Sequence, residues 1–462
     1  MTRRARLTAT LLVATVTASS MGATQAAPPT PSARVSGQPS IVLIVTDDQR
    51  WDTLWAMPRV QELLVDQGLT FQNSFVVNPV CCPSRTSMLT GQYSHSSGVY
   101  SNEFPYGIEA FDPDETIATW LRADGYDTAL IGKYLNRYAG RRIPPGWSHW
   151  AVQWDGKDVE YYDYTMNIDG KIVRYGSDPA DYSTRAWSRL STDFIRDTAG
   201  PLFLMFAPKA PHDPGTPAPT DKRAFKGLGT WRPASYNELD VSDKPAWVQQ
   251  LPVLDAEASR VIDRFRKSQY RSLLAVDRAV ADIVDALQDT GRLGNTMIVF
   301  TSDNGMLWGE HRWRGKLAPY EESIRVPLVV RYDPLTSVPG TDTHLVANID
   351  LTPTFAELAG VPTMGVDGAS LVPLLSPPAG GWRTDFLIEH INHVVPTYCA
   401  VRNEGFLYVD YDNGDEEFYD LAADPLQMDN IVTDPGYAAT LSAMQARLAQ
   451  LCVPPPPGSS LP

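Results

Sequence analysis

Three short stretches of the chain are apolar at consecutive rather than alternate positions: 41–45, 202–206 and 297–300. A strand with one face in water alternates, so unbroken runs of this kind predict strands buried on both faces of a mainly parallel sheet. Helical periodicity takes over between them. It covers 58–67 and 115–124, and over 268–287 it puts Leu273, Leu274, Val276, Val280, Ile283, Val284 and Leu287 on one face. Strands alternating with helices predict an α/β sandwich around a large, mostly parallel sheet. The stretch 161–175 differs, because alternating residues flank Asp169-Gly170, a pair suited to a tight hairpin turn. It predicts a hairpin set apart from the main sheet. Residues 213–255, rich in Pro and polar residues, predict a long irregular loop with a functional role. After a Pro-Gly stretch at 377–381, short alternating strands and a turn at Asp412-Asn413-Gly414 predict a small antiparallel subdomain over 382–452. A main domain then occupies 40–376, and 453–462, with four consecutive prolines, reads as a disordered tail.

The N-terminus sets the compartment. Arg3, Arg4 and Arg6 precede an apolar run reaching about Thr17, and Thr24-Gln25-Ala26 suits cleavage, so 1–26 reads as a signal peptide and 27–39 as a flexible leader. A secreted protein is expected, with general and twin-arginine export both open. No other segment is long and apolar enough to cross a bilayer. The formal charge of −15 over 462 residues deepens to −18 once the three Arg of 1–26 are removed. Such acidity argues against nucleic acid or an anionic membrane as partner. It still permits a small anion held by a few local cations. The four cysteines, Cys81, Cys82, Cys399 and Cys452, are too few for a disulfide scaffold and lack the paired spacing of a zinc site.

Two of the apolar runs end alike, one in Asp47-Asp48 and the other in Asp303-Asn304. Ligands of open parallel sheets gather at the carboxyl ends of strands. The two pairs can therefore converge, across 256 residues, into an all-oxygen site for Ca²⁺ or Mg²⁺ rather than zinc. An Asp after a strand also serves as a helix N-cap, and spacing alone leaves both readings open.

Residues 79–91, PVCCPSRTSMLTG, change that balance. They resemble the signature of the formylglycine-dependent sulfatase family: a Cys, any residue, Pro, a small residue, Arg, and then an apolar pair ending in Thr-Gly. Residues 125–135, GYDTALIGKYL, look like the second family signature, and the likeness runs on through DNGMLWGEHRWRGKLAPYEESIRVP at 303–327. It covers most of 40–430. The resemblance implies an alkaline-phosphatase-like fold and the oxidation of Cys81 to formylglycine by a dedicated generating enzyme. It implies Ca²⁺, in preference to Mg²⁺, on Asp47, Asp48, residue 81, Asp303 and Asn304. Arg85, Lys133 and Lys316 become sulfate-site cations, and His212, within Pro211-His212-Asp213-Pro214, becomes the leaving-group acid. Nearby Lys209 reads as a solvated surface lysine. The implied reaction is hydrolysis of a sulfate monoester by attack of the hydrated aldehyde on sulfur.

Two positions depart from the common family pattern. Leu135 stands where most members have His, and Leu307 where many have another. His311 is then the candidate general base. The run GKYLNRY, with IPPGW, YYDYTMNIDG and PHDP, resembles the N-acetylglucosamine-6-sulfatase and heparan endosulfatase branch. That likeness implies a 6-O-sulfated glucosamine or related sulfated glycan as substrate. Arg137, Arg141 and Arg142, and separately Arg312, Arg314 and Lys316, offer local cations. Trp147, Trp150, Trp154 and Tyr161 offer either stacking faces or ordinary core aromatics. Hydrolysis of a phosphate or phosphonate monoester, and glycan binding without catalysis, are the alternatives. In an oxidising exterior Cys399 and Cys452 are candidates for a disulfide, with Cys82 a buried thiol.

Overall fold

The unbroken apolar runs form strands with no solvent-facing side: Ser40–Thr46, Leu202–Ala207 and Thr296–Ser302 are buried at every position. In this computed structural model, which describes residues 37–139, 142–154, 160–336, 338–376 and 380–461, they lie at the centre of a ten-stranded sheet. Its order is Gly340–Asp342, Leu69–Phe71, Leu328–Arg331, Thr296–Ser302, Ser40–Thr46, Leu202–Ala207, Asp127–Gly132, His149–Gln153, Thr165–Ile168 and Lys171–Arg174. The five strands from Thr296–Ser302 to His149–Gln153 run parallel. The chain from Gln38 onward packs as one unit. The signal peptide, nearly all of the leader, Arg141 and Pro377-Pro378-Ala379 lie outside the described residues.

Helices cover both faces of the sheet, as a parallel core requires. One layer is dominated by Ala256–Asp289, a 34-residue helix that begins twelve residues before the stretch read from sequence. The Asp255 side chain caps its N-terminus by accepting from the Ala258 backbone N–H at 2.8 Å. Ile262 and Phe265 extend the buried face towards that cap. On the other face, Cys81–Thr90 is buried at all ten positions. It closes on Gly91, whose left-handed backbone (φ 73°) ends the helix, and a Cβ there would meet Val366 at 3.1 Å.

Two expectations need correction. The hairpin Thr165–Ile168 and Lys171–Arg174 does turn at Asp169-Gly170, but it extends the main sheet rather than standing apart. Its first strand pairs with His149–Gln153, where Met166 is buried against the core. The tail is also placed. Leu461 is buried in a cluster with Met444, Leu448 and Cys452, an apolar residue beyond the prolines that folds back onto the helix. The four strands Asp385–His390, Tyr398–Asn403, Phe406–Tyr411 and Glu416–Asp420 form the expected antiparallel sheet. The helix Ala438–Leu451 covers it, and a Cys399–Cys452 disulfide ties the end of that helix to the sheet.

His390, at the end of the first of these strands, is fully buried, and neither ring nitrogen has a hydrogen-bond partner. Burial pushes its pKa down from 6.5 to about 3. The unfolded chain therefore takes up the proton first as pH falls, so stability is full above about 6.5 and declines below it. His390→Phe is expected to remove this penalty. Urea titrations should show the stability difference between variant and wild type moving by about 2 kcal/mol in the variant's favour from pH 7.5 to pH 5.

Candidate active site

Four adjacent parallel strands deliver the polar residues. Thr296–Ser302 ends at Asp303-Asn304, Ser40–Thr46 at Asp47-Asp48, Leu202–Ala207 leads through Lys209 to His212, and Asp127–Gly132 ends at Lys133. Backbone hydrogen bonds fix the junctions: the N–H of Asp303 donates to the Thr46 carbonyl (3.0 Å) and that of Lys133 to the Ala207 carbonyl (2.8 Å). Gly132 permits the second approach. Its φ is +123°, and a Cβ there would lie 2.2 Å from the Ala207 oxygen.

The helix Cys81–Thr90 points its N-terminus at these strand ends, with Cys81 as its first residue. Pro83 falls within the first turn, where a missing N–H costs nothing. Arg85 lies one turn beyond Cys81 and so shares its face. The Arg85 Nε donates to Asp303 Oδ2 (2.8 Å) and Nη1 to the Lys133 carbonyl (3.0 Å). Nη2 is buried without a partner. The Lys133 Nζ donates to Asp47 Oδ2 at 2.7 Å, and the Lys316 Nζ donates to Asp48 Oδ1 at 2.5 Å and to Cys81 Sγ at 2.7 Å. The Asn304 Nδ2 donates to Asp48 Oδ1 at 2.7 Å, while its Oδ1 lies 3.4 Å from the Lys316 Nζ. The His212 Nε2 lies 3.7 Å from Asp48 Oδ2, with a fifth of the side chain exposed. Of the residues singled out by sequence, Asp47, Asp48, Cys81, Arg85, Lys133, His212, Asp303, Asn304 and Lys316 converge.

Among the described residues, His311 makes no hydrogen bond to this group. The backbone turns here, with positive φ at His311 and Arg312. The imidazole is buried, bonded through Nδ1 to Glu238 Oε2 (2.8 Å) and packed on the Tyr320 ring at 4.2 Å. Lys209 is not a surface lysine either: it is 3% exposed, with its Nζ over the Tyr161 ring. Trp150 and Tyr161 are buried core residues, and Trp147 stacks on Phe203, so these three pack rather than present stacking faces. Arg137 pairs with Glu103 at the surface.

Sequence reasoning missed the residues that hold these loops together. The Gln269 Nε2 donates to the carbonyls of Asp48 (3.4 Å) and Pro211 (3.3 Å), and its Oε1 accepts from the Trp308 indole. The Tyr161 hydroxyl donates to the His212 carbonyl at 2.7 Å. From the C-terminal sheet, the Tyr398 hydroxyl donates to the Leu317 carbonyl at 2.9 Å, next to Lys316. Gln269 carried one available signal: it lies a helical turn before Leu273, a polar side chain on an apolar stripe.

Burial opposes ionisation of Asp47, but Lys133, His212, Arg85 and Lys316 outweigh it and hold the carboxyl well below the usual range. At Asp48 burial is likewise overcome, chiefly by Lys316 and His212. Asp303 is pushed up by burial and by its neighbour Asp47. Burial would lower Lys133 and Lys316, yet the surrounding carboxylates keep both above the ordinary lysine range. Burial pushes the Cys81 thiol up to about 12 in spite of the two lysines.

One ligand atom from each of Asp47, Asp48, Cys81 and His212 lies within 4.8 Å of the others. With Asp303 and the Asn304 carbonyl close by, the donors are mostly hard oxygens, which fits Ca²⁺ or Mg²⁺. The unpartnered Arg85 Nη2 provides an N–H for an anion. Cations and carboxylates converging at the strand ends of an alkaline-phosphatase-like sandwich define a class, the hydrolases of monoesters of tetrahedral oxyanions.

Comparison narrows the class. The Sulfatase family model matches residues 39–361, and the model for the N-sulphoglucosamine sulphohydrolase C-terminal region matches 309–453. The chain is 33% identical to human N-acetylglucosamine-6-sulfatase over 85% of its own length and 81% of the relative's. It is 34% identical to a Drosophila melanogaster extracellular sulfatase over 76% of this chain but 33% of that one. A solved structure holding its substrate D-glucosamine-2-N,6-O-disulfate superposes with a TM-score of 0.79 at 25% identity, covering 90% of this chain and 98% of the other. The phosphonate monoester hydrolase of Agrobacterium radiobacter shares the fold, with a TM-score of 0.73 at 22% identity over 90% and 96% of the two chains. The chain belongs to the sulfatase family and is a sulfuric ester hydrolase.

Removing Lys316 should separate its two contacts. Lys316→Ala is expected to lower kcat/KM for an aryl sulfate by about 10²- to 10³-fold with an unchanged circular dichroism spectrum. Its melting temperature should also depend more steeply on added Ca²⁺ than that of the wild type, because Asp48 loses its nearest positive charge. Melting curves that ignore Ca²⁺ in both proteins would count against a cation site here.

Proposed function

We propose that the protein is a secreted, calcium-dependent sulfatase that removes 6-O-sulfate from glucosamine units of a glycosaminoglycan, using formylglycine made from Cys81. The carrying observation is Cys81 itself, buried at a helix N-terminus with Lys316 on its sulfur and the carboxylate cluster beside it. A thiol held up at about 12 is protonated and a poor nucleophile at neutral pH. The residue makes better sense as the precursor of another group. Formylglycine, once formed, supplies a hydrated aldehyde as a nucleophile that can be regenerated. Ca²⁺, when bound on Asp47, Asp48, Asp303 and Asn304, supplies positive charge to the sulfate oxygens.

The remaining work falls to side chains. Lys133, buried, and Lys316, partly buried, both positively charged, hold the non-bridging sulfate oxygens and stabilise charge that develops on them. Arg85 aligns Asp303 through its Nε and keeps an unpartnered N–H at Nη2. His212, partly exposed at the open side, protonates the departing sugar oxygen. The Tyr161 hydroxyl steadies the His212 backbone.

Likeness to the human N-acetylglucosamine-6-sulfatase over most of both chains supports the substrate. The glucosamine-disulfate complex in a similar fold supports it too. Export is supported by the charged and apolar pattern of 1–26 and by the extracellular relatives. Among the described residues no helix is long and apolar enough to cross a membrane.

Protein made alongside a formylglycine-generating enzyme should yield a Cys81 peptide with the mass of the aldehyde form, and Cys81→Ala should abolish turnover without unfolding the chain. An unmodified thiol in fully active protein would end the nucleophile assignment. The wild type should release sulfate from N-acetylglucosamine-6-sulfate and prefer an aryl sulfate to the matched aryl phosphate. The reverse preference would favour the phosphate or phosphonate ester reading.

A further inference from the structure

Arg314 and Asp213 form an ion pair that the chemistry described above does not use. The Arg314 Nη2 lies 2.6 Å from Asp213 Oδ1, and the guanidinium sits over the Phe265 ring at 4.3 Å. Both residues border the site. Asp213 follows His212, whose Nδ1 lies 3.0 Å from the Asp213 carbonyl oxygen. Arg314 opens the short strand Arg314–Gly315, two residues before Lys316. The pair therefore bridges the two loops that supply the leaving-group acid and a sulfate-site cation. It lies on the open side, with 34% of the Arg314 side chain and 55% of Asp213 exposed.

An ion pair this exposed adds little to stability, so holding the loops together is a weak reason for it. Its chemistry suits a different task. An arginine already neutralised by a carboxylate has little preference for a further anion, but the pair presents donors and an acceptor side by side. A sugar hydroxyl is both donor and acceptor. Phe265 fixes the plane of the guanidinium, which lysine cannot reproduce. We propose that the Asp213–Arg314 pair is a specificity element that reads hydroxyl groups of the sugar carrying the sulfate, on the leaving-group side of His212. The inference rests on the carbohydrate-sulfate reading above.

The test compares N-acetylglucosamine-6-sulfate with 4-nitrophenyl sulfate, which has no sugar hydroxyls, in wild type, Arg314→Met and Arg314→Lys. Arg314→Met keeps the apolar contact with Phe265, and Arg314→Lys keeps the charge. Both variants should lower kcat/KM for the sugar ester about 10- to 100-fold more than for the aryl ester, as loss of hydrogen bonds to charged groups predicts. Equal losses on the two esters, or no loss on either, would overturn the specificity role while leaving the sulfatase reading intact. A wild type that cleaves the aryl ester but no sugar sulfate would remove the carbohydrate reading itself, and this inference with it.

Discussion

Everything at the site follows from burying like charges together. Asp47, Asp48 and Asp303 are almost completely removed from water, the first two with ligand atoms within 4.8 Å and the third hydrogen-bonded to the Asp48 backbone N–H, an arrangement that repulsion and desolvation would forbid on its own. Arg85 and Lys133, both buried, and the partly buried Lys316 pair with them and restore neutrality. This balance has a consequence for ligands. A divalent cation adds two positive charges to a neutral cluster, and a bound sulfate ester then brings negative charge to meet them. Cation and anion are complementary here because the protein has already cancelled its own charges.

The fold makes such crowding possible. Strands buried on both faces hold their ends rigidly, and the parallel register lines up four carboxyl termini on one edge, so the residue after each strand arrives without a long flexible approach. Gly132 lets two of those ends come close enough for a backbone hydrogen bond. The signature helix enters from the side, and its fully buried length leaves Cys81 little freedom. More distant elements complete the frame. Gln269 joins the Asp48 and Pro211 segments from the long helix, and Tyr398 supports the Lys316 segment from the C-terminal sheet. The small subdomain is thus part of the site's scaffolding.

In the proposed reading, chemistry and selectivity are built from different parts. The carboxylates, Arg85 and Lys133 are buried at strand ends and in a helix, whereas Asp213 lies in a loop and Arg314 in a two-residue strand, both partly exposed. Loops change readily without disturbing a core. A family can therefore keep one reaction while varying the alcohol from which sulfate is removed.

Much of this was legible along the chain because it rests on local patterns. Continuous apolar runs marked the central strands, since a strand without a wet face has no reason to alternate. The residues of 79–91 marked Cys81 and Arg85 through their resemblance to the family signature, and Asp-Asp and Asp-Asn pairs after two strands marked the converging ends. His311 was read from a family-like motif, and adjacency to a motif says nothing about where a side chain points after a turn; here its Nδ1 meets Glu238 and the ring packs on Tyr320. Trp150 and Tyr161 looked equally suited to sugar or core, and only packing distinguishes the two. The sequence by itself determined the strand type, the signature around Cys81 and the carboxylates at the strand ends, all set by neighbours a few residues away. Tertiary structure alone decided which cation meets which carboxylate, that Gln269 and Tyr398 hold the loops, and that Asp213 and Arg314 pair across 101 residues. Those contacts depend on strand order and loop path, which local spacing does not encode.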